Sequence, residues 1–319
     1  DDKLLTYLEE DNFPIEPEYY WPCIPMVLVN GSTGIGTGYS TNIPPHNPLE
    51  IIKIIENLID NPSYGIQNLV PWFRNFKGNV KKSRLGIFYT EGVYNKISDT
   101  CIHITELPIG SWTQYYKEFL ETFEDVTIEN NSTEVSVDFK IRGNRLLIQE
   151  WEEHGLMEKL KLKTNIKSNL TVFDEDRKLR VFTTTEELLF HFYKVRLELY
   201  KKRYDYLLET YQSEIKEIQA RVLFIQRIIS GEIKVFRVPK KEVENQLKKQ
   251  KFPIINGDYT YLLDIRIHKF TEEEIEKLEK ELKDMETLLD EHQKKSYKDL
   301  WKEDLEIAKK MISSEVNDF

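Results

Sequence analysis

The alternation of apolar and polar positions divides the chain into regions of different predicted structure. Up to about residue 48 the pattern predicts a short acidic helix, extended segments around Ile24 to Val29, and a loop rich in Gly, Ser and Thr. A broad apolar face over residues 49–59 predicts a helix, which Asn61 and Pro62 end. Over residues 64–180, short alternating runs predict strands interrupted by helices. These regions together predict an α+β fold.

The last region has the spacing of long packed helices. Apolar side chains recur at intervals of three and four residues in two seams, which are Leu208, Tyr211, Ile215, Ile218, Val222, Ile225 and Ile229, and then Ile275, Leu278, Leu282, Met285 and Leu289. This spacing predicts an antiparallel coiled coil with the insert between its helices at the tip. A first helix from about Thr185 to Ser230 would be roughly 70 Å long. An ordinary helical hairpin in a larger core is the alternative, but the dense charge between seam positions favours an exposed stalk.

Composition limits the function classes. The 319 residues, 40% hydrophobic and 31% charged, are typical of a folded protein with two or three structural units. The net charge of −10 argues against a simple nucleic-acid-binding domain, because neutralising phosphates requires clustered Lys and Arg. Basic runs at residues 77–84 and 159–167 could follow a phosphate backbone, although a solvated face is the commoner interpretation. Two distant cysteines indicate neither a disulfide framework nor a zinc site.

The loop over residues 30–38 carries the candidate chemistry. Its glycines would let backbone amides approach a phosphate, but no Lys follows the last glycine, as a nucleotide-binding P-loop requires. The loop instead holds Ile35 between glycines on a turn bordered by Ser, Thr and Asn. An exposed isoleucine on such a hairpin can act as a wedge that kinks a duplex between base steps, while small polar neighbours bind phosphates. A core isoleucine held by tight turns is the other interpretation.

Several motifs, in order along the chain, resemble eukaryotic and viral DNA topoisomerase II. They are Glu16-Pro17-Glu18-Tyr19-Tyr20, Ile24 through Gly31, Gly34-Ile35-Gly36-Thr37-Gly38, Ser40-Thr41-Asn42-Ile43-Pro44, Asn75-Phe76-Lys77-Gly78, Glu106-Leu107-Pro108, Trp112-Thr113-Gln114, Tyr261-Leu262-Leu263-Asp264 and Asp299 through Leu305. The string from Thr41 to Asn47 also looks like the bacterial gyrase A protein, but the Trp112 and Trp301 motifs favour the eukaryotic type. The chain is thus similar to the C-terminal part of the DNA breakage-reunion core of a type IIA topoisomerase.

This resemblance implies a layout and a set of site residues. Residues 1–50 would complete a winged-helix region with the intercalating hairpin, 51–180 would form the tower, and 181–319 the coiled-coil stalk and C-gate dimerisation domain. Ile35 would intercalate into the bent gate duplex. Further DNA contacts are expected at Ser32, Gly34, Gly36, Thr37, Ser40, Asn42 and Lys77, and a dimer interface at Tyr261, Leu262, Leu263 and Trp301. Relatives often carry a basic residue where this chain has Asn42, which puts a phosphate contact there in question.

The resemblance also implies the activity of the parent enzyme, an ATP-hydrolysing type II DNA topoisomerase. It would cut both strands of one duplex through tyrosine–phosphate bonds, pass a second duplex through the break, and reseal it. The nucleophilic tyrosine is expected upstream of Asp1, so no catalytic residue is expected in this chain. Mg²⁺ and ATP would serve the parent enzyme, and neither would bind here. We therefore predict that Arg203-Tyr204 lies on the stalk surface and that Asp174-Glu175-Asp176 is a charged turn.

The expected partners are double-stranded DNA, a second copy of the chain through the C-gate, and the ATPase and Mg-binding domains of the same polypeptide, with no membrane. The expected location is the nucleus, or a host cell or virion for a viral protein. The alternatives are a coiled-coil dimeric scaffold associated with DNA, and a protein of the bacterial gyrase A type. A tRNA-gripping arm of a synthetase is a third interpretation, but the ATP motifs of that class are absent.

Overall fold

The computed structural model describes residues 1–255 and 257–316, which form two compact units. Unit 1 comprises residues 1–21 and 196–307, and unit 2 comprises residues 22–195 and the chain from residue 308.

The described chain contains small antiparallel sheets and ten helices. The strands are β1 (Tyr7–Glu10), β2 (Phe13–Pro17), β3 (Ser32–Gly36), β4 (Tyr39–Ile43), β5 (Asn79–Lys82), β6 (Phe88–Glu91), β7 (Val93–Ser98), β8 (Cys101–Glu106), β9 (Val126–Asn130), β10 (Phe139–Gly143), β11 (Lys163–Asn165), β12 (Leu170–Phe173) and β13 (Leu179–Phe182). The helices are α1 (Met26–Asn30), α2 (Pro48–Asp60), α3 (Thr113–Leu120), α4 (Arg145–His154), α5 (Leu156–Lys159), α6 (Thr185–Ile229), α7 (Lys240–Lys249), α8 (Thr260–Leu263), α9 (Glu272–Lys294) and α10 (Tyr297–Val316).

Unit 2 has its main core between a sheet and three helices. The sheet has the strand order β7-β8-β10-β9 and is antiparallel throughout. Alternate residues of β8 and β10 point to the same face, so Ile102, Ile104, Phe139 and Ile141 are all buried there. Side chains of α3, α4 and α5 cover this face. A smaller sheet of order β11-β6-β5 and the hairpins β3–β4 and β12–β13 complete the strands of the unit.

Helix α2 confirms the helix predicted over residues 49–59. Its six buried side chains are Ile51, Ile52, Ile54, Ile55, Leu58 and Ile59. Asn47 caps the helix, since its side chain accepts a hydrogen bond from the Leu49 amide, and Pro48 occupies the first turn, where its missing N–H costs nothing. Local capping and an apolar face thus specify this element together.

Unit 1 contains α9 and most of α6, the long helices that the heptad spacing predicted. Ile218, Val222 and Ile225 of α6 form a cluster with Leu278 of α9, and Ile275, Leu282 and Met285 pack against it. Farther along α9, His292 stacks on Tyr204 of α6, so the two helices run antiparallel. The N-cap predicted for the returning helix is confirmed, because the Thr271 hydroxyl accepts a hydrogen bond from the Glu274 amide.

The insert between α6 and α9 has a core of its own. Ala220 and Phe224 lie on a second face of α6 and pack with a set of buried residues, namely Ile233, Leu247, Phe252, Tyr259 and Leu262. Helix α6 therefore buries two faces near its C-terminal end, and its heptad seam accounts for only one of them. Ile229, the last predicted seam residue, is half-exposed, and the neighbouring Ile228 packs against the core of the insert.

Two local predictions were wrong. The stretch from Ile24 to Val29 was expected to be extended, but Met26–Asn30 forms α1. The first residues were expected to form an acidic helix, but they contain only one 3-10 turn, Asp2–Leu4, before the hairpin β1–β2. Both segments are too short for apolar spacing to distinguish strand from helix, and Val27 and Val29 favoured a strand in the stretch from Ile24 to Val29. In the described part of the chain no helix is long and apolar enough to cross a membrane.

Candidate nucleic-acid interface

The Gly-rich loop folds as a two-stranded hairpin in unit 2. Strands β3 and β4 pair antiparallel from Ser32 opposite Ile43 to Gly36 opposite Tyr39, and Thr37 and Gly38 form the turn. Gly38 has φ +81°, a left-handed conformation that L side chains rarely adopt, so glycine is required at this corner. The hairpin prediction therefore holds at the level of backbone geometry.

The base of the hairpin is tightly built. Gly31 ends α1 with φ +70°, and a Cβ atom at this residue would lie 2.7 Å from the Ile43 carbonyl oxygen. Across the base, the His46 amide donates to the Leu28 carbonyl at 2.8 Å. Ile43 and Leu28 are buried. The hairpin thus emerges from a packed base, and only its outer half is exposed.

Ile35 lies near the end of this hairpin and is 94% exposed. It faces Ser40 across the ladder. Because strand side chains alternate between faces, Thr33, Ile35, Ser40 and Asn42 share one face of the hairpin. The interpretation of Ile35 as a core residue is therefore wrong, because its side chain is almost fully exposed to solvent.

The glycines on both sides of Ile35, Gly34 and Gly36, place no side chains next to it. A Cβ atom at Gly34 would meet only the Thr41 methyl group at 3.8 Å, and one at Gly36 only the Tyr39 carbonyl oxygen at 3.7 Å. Both are ordinary van der Waals contacts, and neither residue has a positive φ. The folded chain itself does not require glycine at these two positions. Their missing side chains instead give a bound molecule close access to the backbone on both sides of Ile35.

The outer edge of β4 is attached to the residues before β12. Asn42 and Asn169 exchange backbone hydrogen bonds of 2.9 and 2.8 Å. The Asn42 side-chain amide donates to the Lys167 carbonyl at 2.9 Å, and its carbonyl oxygen is 3.3 Å from the Thr33 hydroxyl. Much of the hydrogen-bonding capacity of the Asn42 side chain is thus used inside the protein. The side chain of Lys167, whose backbone carbonyl accepts the Asn42 hydrogen bond, is exposed.

The remaining predicted DNA-binding residues lie at different places. Ser32, Gly34 and Gly36 occupy the alternate positions of β3, and Thr37 lies in the turn. Lys77 belongs to the segment before β5, where its amide donates to the Glu106 carboxylate at 3.2 Å and its side chain is exposed. The structure therefore gathers the hairpin residues into one site, whereas Lys77 belongs to another part of unit 2.

Beyond Lys77, the sheet β11-β6-β5 has an exposed face of basic and aromatic side chains. Tyr89 lies opposite Lys81 on one side and Asn165 on the other. The Lys163 ammonium is 4.4 Å from the centre of the Tyr89 ring. Lys81 pairs with Glu91 at 2.6 Å, and this hydrogen bond raises the pKa of Lys81. Both predicted basic runs contribute to this face, which has the lysine and aromatic character of surfaces that contact nucleic-acid backbones.

A buried histidine lies behind the hairpin. His46 is completely buried, and this burial lowers the pKa of its imidazole, whereas the Leu28 and Pro44 carbonyls and the Glu186 carboxylate act in the opposite direction. The Glu186 carboxylate also accepts a hydrogen bond from the Leu69 amide at 3.1 Å. His46 is therefore neutral at physiological pH and belongs to the support of the hairpin.

The residues predicted for the dimer interface differ in exposure. Leu262 and Trp301 are both 0% exposed, and the Trp301 ring stacks on Tyr200 at 5.1 Å. Tyr261 and Leu263 are half-buried, and the Tyr261 hydroxyl donates to the Pro253 carbonyl at 2.7 Å. Burial raises the pKa of Tyr261 to about 12. Leu262 and Trp301 thus have no side-chain surface to offer a second copy, and Tyr261 and Leu263 retain some.

The motifs Arg203-Tyr204 and Asp174-Glu175-Asp176 have structural roles. Arg203-Tyr204 was predicted on the stalk surface, and both residues are half-buried, since Arg203 pairs with Asp304 at 2.6 Å and Tyr204 stacks on the buried His292. The charged-turn prediction for Asp174-Glu175-Asp176 is confirmed: the Asp174 carboxylate accepts hydrogen bonds from two amides of the β12–β13 turn.

Comparison with known proteins assigns the chain to a family. Residues 1–306 match the family model of the DNA gyrase/topoisomerase IV A subunit. The mitochondrial DNA topoisomerase 2 of Dictyostelium discoideum is 35% identical over 100% of this chain and 26% of that protein. DNA topoisomerase 2 of Acanthamoeba polyphaga mimivirus is 31% identical over 95% of this chain and 30% of that protein. The chain spans about a quarter of the length of the curated relatives it matches.

A solved structure agrees with this assignment. The crystal structure of the Plasmodium falciparum topoisomerase II DNA-binding, cleavage and re-ligation domain matches with a TM-score of 0.82 and 33% identity, over 99% of this chain and 47% of that chain. Sequence and fold therefore agree along nearly the whole chain, which belongs to the DNA gyrase/topoisomerase IV A subunit family of type IIA DNA topoisomerases.

Proposed function

We propose that this chain is the part of an ATP-dependent type II DNA topoisomerase that bends the gate duplex and forms the C-gate for double-strand passage. The observation that carries the proposal is Ile35, an almost fully exposed β-branched side chain near the end of a hairpin with a packed base. Exposure of a large apolar side chain to water is unfavourable, and its insertion between base pairs lowers the free energy because the apolar surface leaves water.

The hairpin has the mechanical properties of a wedge. Ile35 is branched at Cβ, so its χ1 angle is stiff and little rotamer entropy is lost on insertion. Gly34 and Gly36 allow the bases or sugars on either side to approach the backbone. Kinking a duplex costs on the order of 1–6 kcal/mol in elastic energy, besides the cost of unstacking a base step. Contacts to phosphates must offset this cost, and the exposed Lys167 and the lysine face of the β11-β6-β5 sheet are suited to make them.

We further propose the family layout for the chain, with residues 1–50 as the end of the winged-helix region, 51–180 as the tower, and 181–319 as the coiled-coil stalk and C-gate. The antiparallel pairing of α6 with α9 supports the stalk. Three large apolar side chains of the insert, Phe236, Ile254 and Ile267, are exposed, and this supports a surface for a second copy around Tyr261 and Leu263.

The proposed activity requires Mg²⁺ and ATP in the parent enzyme. Within residues 1–255 and 257–316, no three His, Cys, Asp or Glu side chains are arranged to hold a metal ion. The proposed partners are duplex DNA, a second copy of the chain, and the ATPase and Mg-binding domains of the same polypeptide. A nuclear or viral setting is proposed from the eukaryotic and viral relatives.

Decatenation of interlinked DNA circles by the full-length protein tests this function. We expect ATP-dependent decatenation, and a strong loss of it in an Ile35→Ala variant. Val135→Ala is the matched control, because Val135 is also a β-branched, almost fully exposed side chain of unit 2, outside the hairpin. No decatenation by folded, dimeric protein would contradict the proposal and would favour the coiled-coil scaffold instead.

A further inference from the structure

One residue far away in the sequence makes several of the hydrogen bonds that hold the outer edge of β4. Asn169 precedes β12 and lies at the outer edge of β4, opposite Asn42. The Asn42 amide donates to the Asn169 carbonyl at 2.9 Å, and the Asn169 amide donates to the Asn42 carbonyl at 2.8 Å. These two bonds join the hairpin β3–β4 to the hairpin β12–β13.

The side chain of Asn169 makes the next connection along the same edge. Alternate residues of a strand present their carbonyls to the same side, so the carbonyls of Ser40 and Asn42 both face Asn169. The Asn169 side-chain amide donates to the Ser40 carbonyl at 2.7 Å and lies 3.0 Å from the Ser40 hydroxyl oxygen. One asparagine thus binds two successive outward-facing positions of β4.

The other end of the same side chain is held from the core side. The Asn169 carbonyl oxygen accepts a hydrogen bond of 2.7 Å from the hydroxyl of Thr171, a buried residue of β12. The neighbouring Leu170 and its cross-strand partner Phe182 are also buried. The orientation of the Asn169 amide group is therefore fixed by a packed strand.

These contacts lead directly to the wedge. Ser40, which accepts the Asn169 hydrogen bond, is the residue opposite Ile35 in the β3–β4 ladder. A two-stranded hairpin by itself is marginally stable in water and is free to change its angle to the rest of the protein. A wedge that unstacks base pairs must resist the opposing force of the duplex, so its support has to be rigid.

We propose that Asn169 is a positioning residue for DNA bending, which holds the Ile35 hairpin at the angle needed for insertion between base pairs. This inference rests on the proposed function, since it assumes that Ile35 is the wedge. Asn169 itself needs no contact with DNA. It acts through Ser40, and its hydrogen bond with Thr171 of β12 resists displacement of the hairpin when Ile35 is pushed by the duplex.

The test is the bending equilibrium of a short duplex, measured by energy transfer between dyes at its ends, with the full-length protein. Asn169→Ala removes both side-chain bonds. Asn169→Asp keeps the shape and the acceptor for Thr171 but cannot donate to Ser40 when ionised. Asn144→Ala is the matched control, because it removes the side-chain hydrogen bond that caps α4 in the same unit but is outside the hairpin. Each substitution is made in the wild type and in an Ile35→Ala background.

Loss of hydrogen bonds of this kind predicts a fall of about threefold to tenfold in the bending equilibrium constant for both Asn169 variants, with Asn144→Ala unchanged. In the Ile35→Ala background the Asn169 substitutions should have no further effect, because a positioning residue acts only through the group that it positions. Wild-type bending by Asn169→Asp, or an equal fall in the Ile35→Ala background, would overturn the inference alone. Unchanged bending by Ile35→Ala itself would overturn the proposed function and the inference with it.

Discussion

At the scale of single residues, the candidate site combines an exposed isoleucine with glycines that the fold does not require. Gly31 and Gly38 have positive φ and serve the backbone, whereas Gly34 and Gly36 have room for a methyl group. The two pairs look alike in the sequence and differ in physical role. Only the backbone geometry separates glycines that shape the hairpin from glycines that leave space for a ligand.

Gly36→Ala should therefore separate stability from DNA bending. We expect an unchanged or slightly higher melting temperature, because alanine restricts the unfolded chain and meets only an ordinary contact in the folded one. DNA bending should fall, because the new methyl group occupies space beside the wedge. Gly38→Ala is the contrasting variant, since its positive φ predicts a loss of stability of about 1 kcal/mol. A Gly36→Ala protein that bends DNA normally would contradict this role.

His46 predicts a pH dependence of stability. Its pKa in the folded chain is below the ordinary value of 6.5, so below that pH the unfolded chain binds a proton that the folded chain resists. The contribution of His46 to the free energy of unfolding is thus fully present above 6.5 and is lost as the pH falls. Urea denaturation at about pH 7.5 and about pH 5.5 should show a smaller decrease for His46→Gln than for the wild type. Equal decreases in the two proteins would contradict the prediction.

At the scale of elements, the sequence predicted the parts whose periodicity extends over many residues. The helix α2 and the pairing of α6 with α9 follow from apolar spacing, because a buried helical face repeats every three or four residues. The α1 helix was missed because five residues are too few for a period to be visible. The contact between β4 and Asn169 could not be predicted, since the two are separated by more than a hundred residues and no local pattern records which edges meet.

Helix α3 provides a test of the unit 2 core. The buried Tyr116 hydroxyl donates to the Leu160 carbonyl at 2.6 Å, and burial raises the pKa of Tyr116 well above its ordinary value. Tyr116→Phe keeps the ring but leaves the Leu160 carbonyl without this donor. We expect the free energy of unfolding to fall by about 1–3 kcal/mol, measured by urea denaturation. Tyr115→Phe, at an exposed neighbouring residue, should have little effect. A loss no larger than that of Tyr115→Phe would contradict this prediction.

At the scale of the whole molecule, the net charge of −10 proved a weak guide to function. The charges are unevenly distributed: acidic residues are frequent in β1–β2 and α9, whereas Lys81 and Lys163 lie on one sheet face, on the two strands that flank β6. Phosphate contacts depend on such local clusters rather than on the total charge. The family assignment and the local site therefore agree although the overall charge argued against a nucleic-acid partner.

Dimerisation through the insert is a prediction at this scale. Ile267 is an exposed apolar side chain of unit 1, and a charge there should disfavour burial against a second copy. Sedimentation equilibrium of the 319-residue chain should show a dimer for the wild type and a shift toward monomer for Ile267→Asp. Leu85→Asp is the control, since Leu85 is also an exposed apolar side chain but lies in unit 2. A wild-type chain that stays monomeric at high concentration would contradict the proposed C-gate.

The central claim is that Ile35 bends DNA, and the most direct test is the bend angle of a duplex bound to the full-length protein. Energy transfer between dyes at the duplex ends would be measured for the wild type, Ile35→Ala and the control Val135→Ala at saturating protein. The wedge predicts a strongly bent duplex with the wild type and with Val135→Ala, and a much straighter one with Ile35→Ala. An equally bent duplex with Ile35→Ala would show that the exposed isoleucine is not the wedge.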